Sequence, residues 1–177
     1  MIIAQTPRVT LRQLDIADAT FFCQLLNDPD WLKNIGDRGV RTPLEAERYI
    51  ESNYLPTYAR LGFGMYLLER NADAQALGVC GLVQRETLPQ PDLGFALLHP
   101  FCGQGYAHEA ASAVMAHAQT RLGLRQVLAI TTASNQRSSH LLAKLGFTFD
   151  RWVTLAPDGE SLRLFTTRLD QSSQGFS

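Results

Sequence analysis

The stretch from Pro91 to Leu122, PDLGFALLHPFCGQGYAHEAASAVMAHAQTRL, decides how the rest of the chain is read. Leu93, Phe95, Leu97 and Leu98 form a short apolar run between turn residues, which predicts a strand. A glycine-containing loop, Cys102-Gly103-Gln104-Gly105-Tyr106-Ala107, follows. Beyond it Ala110, Ala111, Val114, Met115, Ala118 and Leu122 recur on one face of a predicted helix. Strand, glycine turn and helix point main-chain N–H groups and a positive helix end at an anion. The loop reads as a pyrophosphate cradle, although two glycines before a helix also serve a plain turn.

Around this stretch the chain has 177 residues, 45% of them hydrophobic, which suits one domain with a sizeable core. A formal net charge of −1 gives no general pull toward nucleic acid or an anionic membrane. Lys33 and Lys144 are the only lysines, so the positive charge is nearly all arginine and suits local carboxylate or phosphate contacts. Cys23, Cys80 and Cys102 are widely spaced and odd in number, as expected of free thiols in a reducing compartment. His99, His108, His117 and His140 lack ligand-like spacing, so no metal site is expected. The start Met1-Ile2-Ile3 is too short for a signal sequence and no apolar run approaches membrane length. A soluble, cytoplasmic protein is expected.

Arg8 to Leu14 alternates as a first strand, and Asp15 or Asp18 caps a helix with Ala19, Phe22, Cys23 and Leu26 on one face. Asn27-Asp28-Pro29-Asp30 ends it, and Trp31 to Val40 reads as a loop. Thr42-Pro43-Leu44-Glu45 is a capping box for a helix running to about Asn53. Gly64 to Glu69 and Leu77 to Gln84 are strands, the second interrupted by Gly78 and Gly81 in a way that suggests twist or a bulge. After the central helix Gly123 is placed as its C-cap, and Gln126 to Thr132 is a strand buried on both faces. Asn135 opens a short helix with Leu141, Leu142 and Leu145 inward, closed by Gly146. Phe147 to Leu155 and Ser161 to Leu169 form a hairpin across Pro157-Asp158-Gly159. Gln171 to Ser177 reads as a frayed polar tail after a single domain spanning 1–170.

This order resembles the GNAT superfamily of N-acetyltransferases over almost the whole chain. The phosphate-loop pattern of that superfamily, Gln/Arg-x-x-Gly-x-Gly/Ala, is matched from Cys102 to Ala107, with Cys102 departing at the first position. Gly103 to Ala110, Gly-x-Gly-Tyr-Ala-x-Glu-Ala, is similar to the RimJ/RimL-type branch of ribosomal-protein N-terminal acetyltransferases. Asn135-x-x-Ser138 with Lys144-Leu145-Gly146-Phe147, and Asp92-Leu93-Gly94-Phe95, resemble two further segments of that branch. The resemblance implies an α/β (α+β) single-domain fold: a mixed, mostly antiparallel central sheet, splayed at the family's strands four and five and flanked by about four helices.

It also implies acetyl-CoA as the cofactor and a primary amine as acceptor, either a protein N-terminus or a small molecule, attacking directly in a ternary complex. Cys102, Gly103, Gln104, Gly105, Tyr106, Ala107 and His108 would form the pyrophosphate loop, with small residues at 103, 105 and 107 allowing close approach. Ala96, Leu97 and Leu98 would offer main-chain bonds to the pantetheine arm, and an N–H near Ala96 or Leu97 would polarise the thioester carbonyl. Asn135 would bond the pantetheine or simply cap its helix. Asp92, directly or through water, is the first candidate base and Glu86 the second; each also reads as a solvated strand-end carboxylate. Ser138 would donate to the leaving sulfur, because the position of the tyrosine many relatives use is Leu142 here. Glu109 reads as a structural partner of the helix dipole, and Asp37 as a candidate for pairing the substrate ammonium. A non-catalytic acyl-CoA-sensing module on the same fold is the alternative. The assembly is expected to be a monomer or a homodimer, with no nucleic-acid or membrane partner.

Overall fold

The computed structural model describes residues 1–169, so the expected tail and the boundary at 170 lie outside the described residues. The chain runs β1 (Ile2–Gln5), β2 (Val9–Gln13), a 3-10 turn (Ile16–Asp18), α1 (Ala19–Leu26), α2 (Pro29–Asn34), α3 (Pro43–Asn53) and α4 (Leu55–Leu61). It continues through β3 (Met65–Arg70), β4 (Ala76–Val83), β5 (Asp92–Leu97), a second 3-10 turn (His99–Phe101), α5 (Tyr106–Thr120), β6 (Gln126–Thr132), α6 (Gln136–Lys144), β7 (Thr148–Val153) and β8 (Leu162–Arg168). The strands form one sheet in the order β1-β2-β3-β4-β5-β6-β8-β7. All neighbours are antiparallel except β5 and β6.

The parallel pair sets the architecture. β4 and β5 pair from Gly78↔Leu97 to Val83↔Asp92, whereas β5 meets β6 at one register position, Asp92↔Leu128. The Leu128 N–H donates to the Pro91 carbonyl (3.0 Å), and beyond that bond the strands separate. On one face, α5 buries Tyr106, Ala110, Ala111, Val114, Met115 and Ala118 in a core shared with Val9, Leu11, Leu68, Leu82, Leu93, Val127 and Leu142. On the other, Phe22, Leu26, Ala46 and Ile50 of α1 and α3 pack on Leu67, Val79 and Leu98.

Four readings of the sequence are corrected. β1 was not expected, because Ile2-Ile3-Ala4 does not alternate; it is an edge strand on β2. Trp31–Asn34 is helical rather than loop, since Asp28 Oδ1 accepts the Asp30 N–H (2.9 Å), Pro29 takes the first turn and buried Trp31 anchors the inner side. After Asn53 the backbone turns through Tyr54 straight into α4, which ends at Gly62 (φ +74°), so the molecule has six α-helices among the described residues. β4 runs unbroken through Gly78 and Gly81. A Cβ at Gly78 would lie 2.1 Å from the Ala96 carbonyl oxygen and one at Gly81 2.1 Å from that of Gly64, so close backbone approach requires glycine at both, and the expected irregularity lies beside Gly78, where the register with β3 shifts between Leu68↔Gly78 and Glu69↔Ala76. The central helix ends at Thr120, with Gly123 (φ +66°) just beyond, where the Leu124 N–H returns to the Ala118 carbonyl (3.0 Å).

Candidate active site

Gly103 (φ +77°) and Gly105 (φ +83°) take the left-handed conformations that carry the chain from the 3-10 turn into α5. The Glu109 N–H finds the Gly105 carbonyl (3.1 Å), and among the described residues no bond engages the N–H groups of Gly103 through His108. Free donors at a helix mouth are the arrangement that an anion cradle requires. Cys102 contributes nothing to it: its N–H goes to the His99 carbonyl (3.1 Å) and its thiol faces the Leu98 carbonyl (3.8 Å). The Gln104 side chain bonds the Pro100 carbonyl (3.1 Å) and the Tyr106 ring is buried, so both serve the loop's own shape.

What holds this loop came from a part of the sequence that gave no hint of it. Arg8 Nη1 donates to the Gln104 carbonyl (2.9 Å), Nε to Glu109 Oε2 (2.7 Å), and the guanidinium sits 4.6 Å over the Tyr106 ring. Glu109 Oε1 accepts from Thr6 Oγ1 (2.6 Å) and the Arg8 N–H (2.9 Å), which makes Glu109 the structural tie it was expected to be. The β1–β2 connection therefore clamps the cradle from behind.

Where β5 leaves β6 a cleft of about 560 Å3 opens, lined by both strands, by Asn135, Ser138 and Leu142 of the α6 region, and by side chains from α2, α3, α4 and the β7–β8 connection. The Leu98 N–H donates to Leu77 of β4 (2.9 Å), so by strand alternation Ala96 also turns its N–H toward β4, while Phe95 and Leu97 turn theirs toward the gap. Of the three residues expected to offer main-chain bonds, Leu97 turns its N–H toward the gap, as Phe95 does, while Ala96 and Leu98 turn theirs toward β4. The hydroxyls of Thr131 and Thr132, 6% and 8% exposed, line the same gap and have no partner among the described residues. Free edge donors and orphaned hydroxyls fit a polar, extended arm such as pantetheine between the strands.

Asp92 lies at the head of β5, 1% exposed, with Oδ1 accepting from Arg85 Nε (3.0 Å). Burial pushes its carboxyl above the ordinary carboxylate range and Arg85 pulls it back in part. Alternation along β5 places it on the face that Ala96 shares. Asn135 caps α6, its Oδ1 accepting the Ser138 N–H (3.2 Å), and Ser138 is half-buried at the cleft. Glu86 is exposed and lies away from the cleft lining. Asp37 does not reach the cleft either: it is bonded to Arg41 and to the Gly39 N–H (2.8 Å). Arg38 and Arg60, with Trp31, Tyr49 and Tyr54, line the cleft, a grouping scattered from α2 to α4 and thus hidden in the sequence.

A family model described as an acetyltransferase (GNAT) domain matches residues 8–148. Among curated relatives, the Uncharacterized N-acetyltransferase p20 of Bacillus licheniformis is 27% identical over 146 residues, covering 80% of each chain. Among solved structures, RimL, the ribosomal L7/L12 alpha-N-protein acetyltransferase in complex with coenzyme A, superposes with a TM-score of 0.82 at 22% identity, covering 96% of this chain and 99% of that one. An acetyltransferase from Salmonella typhimurium that modifies the N-terminal serine of ribosomal protein L7/L12 gives 0.79 at 20%, covering 96% and 100%. With the family model covering most of its length and its cleft built as described, the chain belongs to the GNAT family and is an acetyltransferase enzyme.

Proposed function

We propose that the protein moves the acetyl group of acetyl-CoA to a primary amine, a protein N-terminal α-amine or a small-molecule amine, by direct attack in a ternary complex. The observation that carries this is the placing of two features at the two ends of β5: a buried carboxylate at its head, where β5 and β6 part, and free N–H groups at the mouth of α5, into which the chain runs after β5. Acetyl-CoA supplies the activated thioester. The N–H groups of Gly103, Gly105, Ala107 and His108 hold the diphosphate against the helix dipole. The Phe95 and Leu97 edge of β5, with Asn135, aligns the pantetheine, and an N–H on that edge donates to the carbonyl oxygen as negative charge develops.

Asp92 accepts the proton of the incoming ammonium, directly or through water, and Ser138 donates to the departing sulfur. Leu142 is buried one turn after Ser138, which leaves the serine as the hydroxyl there. The fold neighbours named for ribosomal-protein N-termini support the protein-terminus arm of this reading. The test is acetyl-CoA turnover, followed by thiol release, against peptides, amino acids, polyamines and aminoglycosides. Turnover with at least one amine, lost in Gly105→Glu together with coenzyme binding, is the expected result. Coenzyme binding without turnover of any amine would sink it.

A further inference from the structure

Two arginines line the cleft without an ion-pair partner among the described residues. Arg38 comes from the segment between α2 and α3 and Arg60 from α4. Among the described residues neither makes an ion pair, whereas Arg41 is neutralised by Asp37 and Arg85 by Asp92. Arg38 lies close enough to Tyr54 to draw its phenol down against the burial that raises it. Tyr54 in turn packs edge-on to Phe22 (5.3 Å) and against Tyr49 (6.0 Å), so an aromatic wall stands beside the cation. The same lining holds the Asp92–Arg85 pair, whose charges offset, and Glu160 on the β7–β8 connection, which has no cation partner among the described residues.

Two unpaired guanidiniums against one unpaired carboxylate leave the described lining with a surplus of positive charge. An ammonium placed for reaction near Asp92 shares the cleft with Arg38 and Arg60. An acceptor with further positive charges would set them against those guanidiniums, while one with a nearby carboxylate would satisfy them. Resting on the acetyl-transfer reading above, we infer that the acceptor is an acidic amine: a primary amine with one or more carboxylates close to it. Two sources share that chemistry, a free acidic amino acid and the N-terminus of an acidic peptide. A polyamine or aminoglycoside lacks it.

The test compares kcat/KM for Ser-Ala-Ala-Ala, Ser-Glu-Glu-Ala and Ser-Lys-Lys-Ala peptides, and for free glutamate against spermidine, with coenzyme A affinity measured by calorimetry on the same samples. The acidic member of at least one pair should exceed its basic counterpart by about tenfold or more. Which pair responds identifies the source. Arg38→Glu/Arg60→Glu should reverse the order, and Arg60→Gln, a milder change, should narrow it. Preference for the basic members, or an order that charge reversal leaves unmoved, overturns the inference while acetyl transfer itself stands. Coenzyme binding with no acetylation of any acceptor instead overturns the reading beneath it.

Discussion

Asp92 is subject to two opposed influences, and their balance sets its chemistry. Loss of water raises its carboxyl pKa, and the Arg85 guanidinium at 3.0 Å lowers it by less. A base must be ionised, so the rate should climb with pH through a limb lying above the ordinary carboxylate range. Asp92→Asn should cut kcat by about 10²- to 10⁴-fold and flatten that limb; an unchanged pH–rate profile would assign the proton to another group. For stability the sign is the reverse. A raised carboxyl in the folded state binds more protons than the unfolded chain, so this group's contribution falls as pH rises from the ordinary value through the raised one. Ser138→Ala should lower kcat with little change in coenzyme affinity, measured by calorimetry, because its hydroxyl is assigned to the leaving sulfur.

At the scale of elements, β4 lies so close to its neighbours that two positions exclude even a methyl group, Gly78 against β5 and Gly81 against Gly64 and Met65 at the start of β3. Gly78→Ala would drive a Cβ against the Ala96 carbonyl, and since Leu97 cannot recede except toward the gap, the cleft would narrow. We expect a loss of about 3 kcal/mol in chemical denaturation and a weaker coenzyme affinity. The clamp behind the cradle is a second element-level device. Arg8→Ala would free the Gln104 carbonyl and one side of Glu109, so coenzyme binding should weaken several-fold while the helix itself persists in circular dichroism. His117, near the end of α5, shows burial winning over the helix dipole. Burial and Arg121 lower its pKa although a helix C-terminus favours the cation. Its neutral form therefore stabilises the fold above about pH 6.5, and that contribution drains away as pH falls below the usual histidine range. His117→Gln should flatten the fall in melting temperature between neutral and mildly acid buffer.

For the whole molecule, the sheet halves meet at a single register position, and a ligand lying between them would bridge both. Coenzyme A at 100 times its dissociation constant should raise the melting temperature by about 5–10 °C, and Gly105→Glu should abolish the shift. No helix among the described residues is long and apolar enough to cross a membrane. The charge pattern around the cleft likewise exists only when α2, α4 and the β7–β8 connection are assembled around one opening.

The sequence alone determined whatever depends on neighbours along the chain. The strand–turn–helix from Asp92 to Thr120, the capping box at Thr42, β6 at Gln126–Thr132 and the Asn135 cap were all legible, because periodicity, capping and glycine conformation act over a few residues. Tertiary structure decided the rest. Arg8 lies about a hundred residues from Glu109 and carries no local mark of that bond. Which of Ala96, Leu97 and Leu98 faces the gap depends on the register with β4, and a shift of one residue would reverse it. Whether Asp92 is buried, and whether Asp37 or the pair Arg38 and Arg60 lines the cleft, was settled by packing between distant segments, which no local pattern encodes.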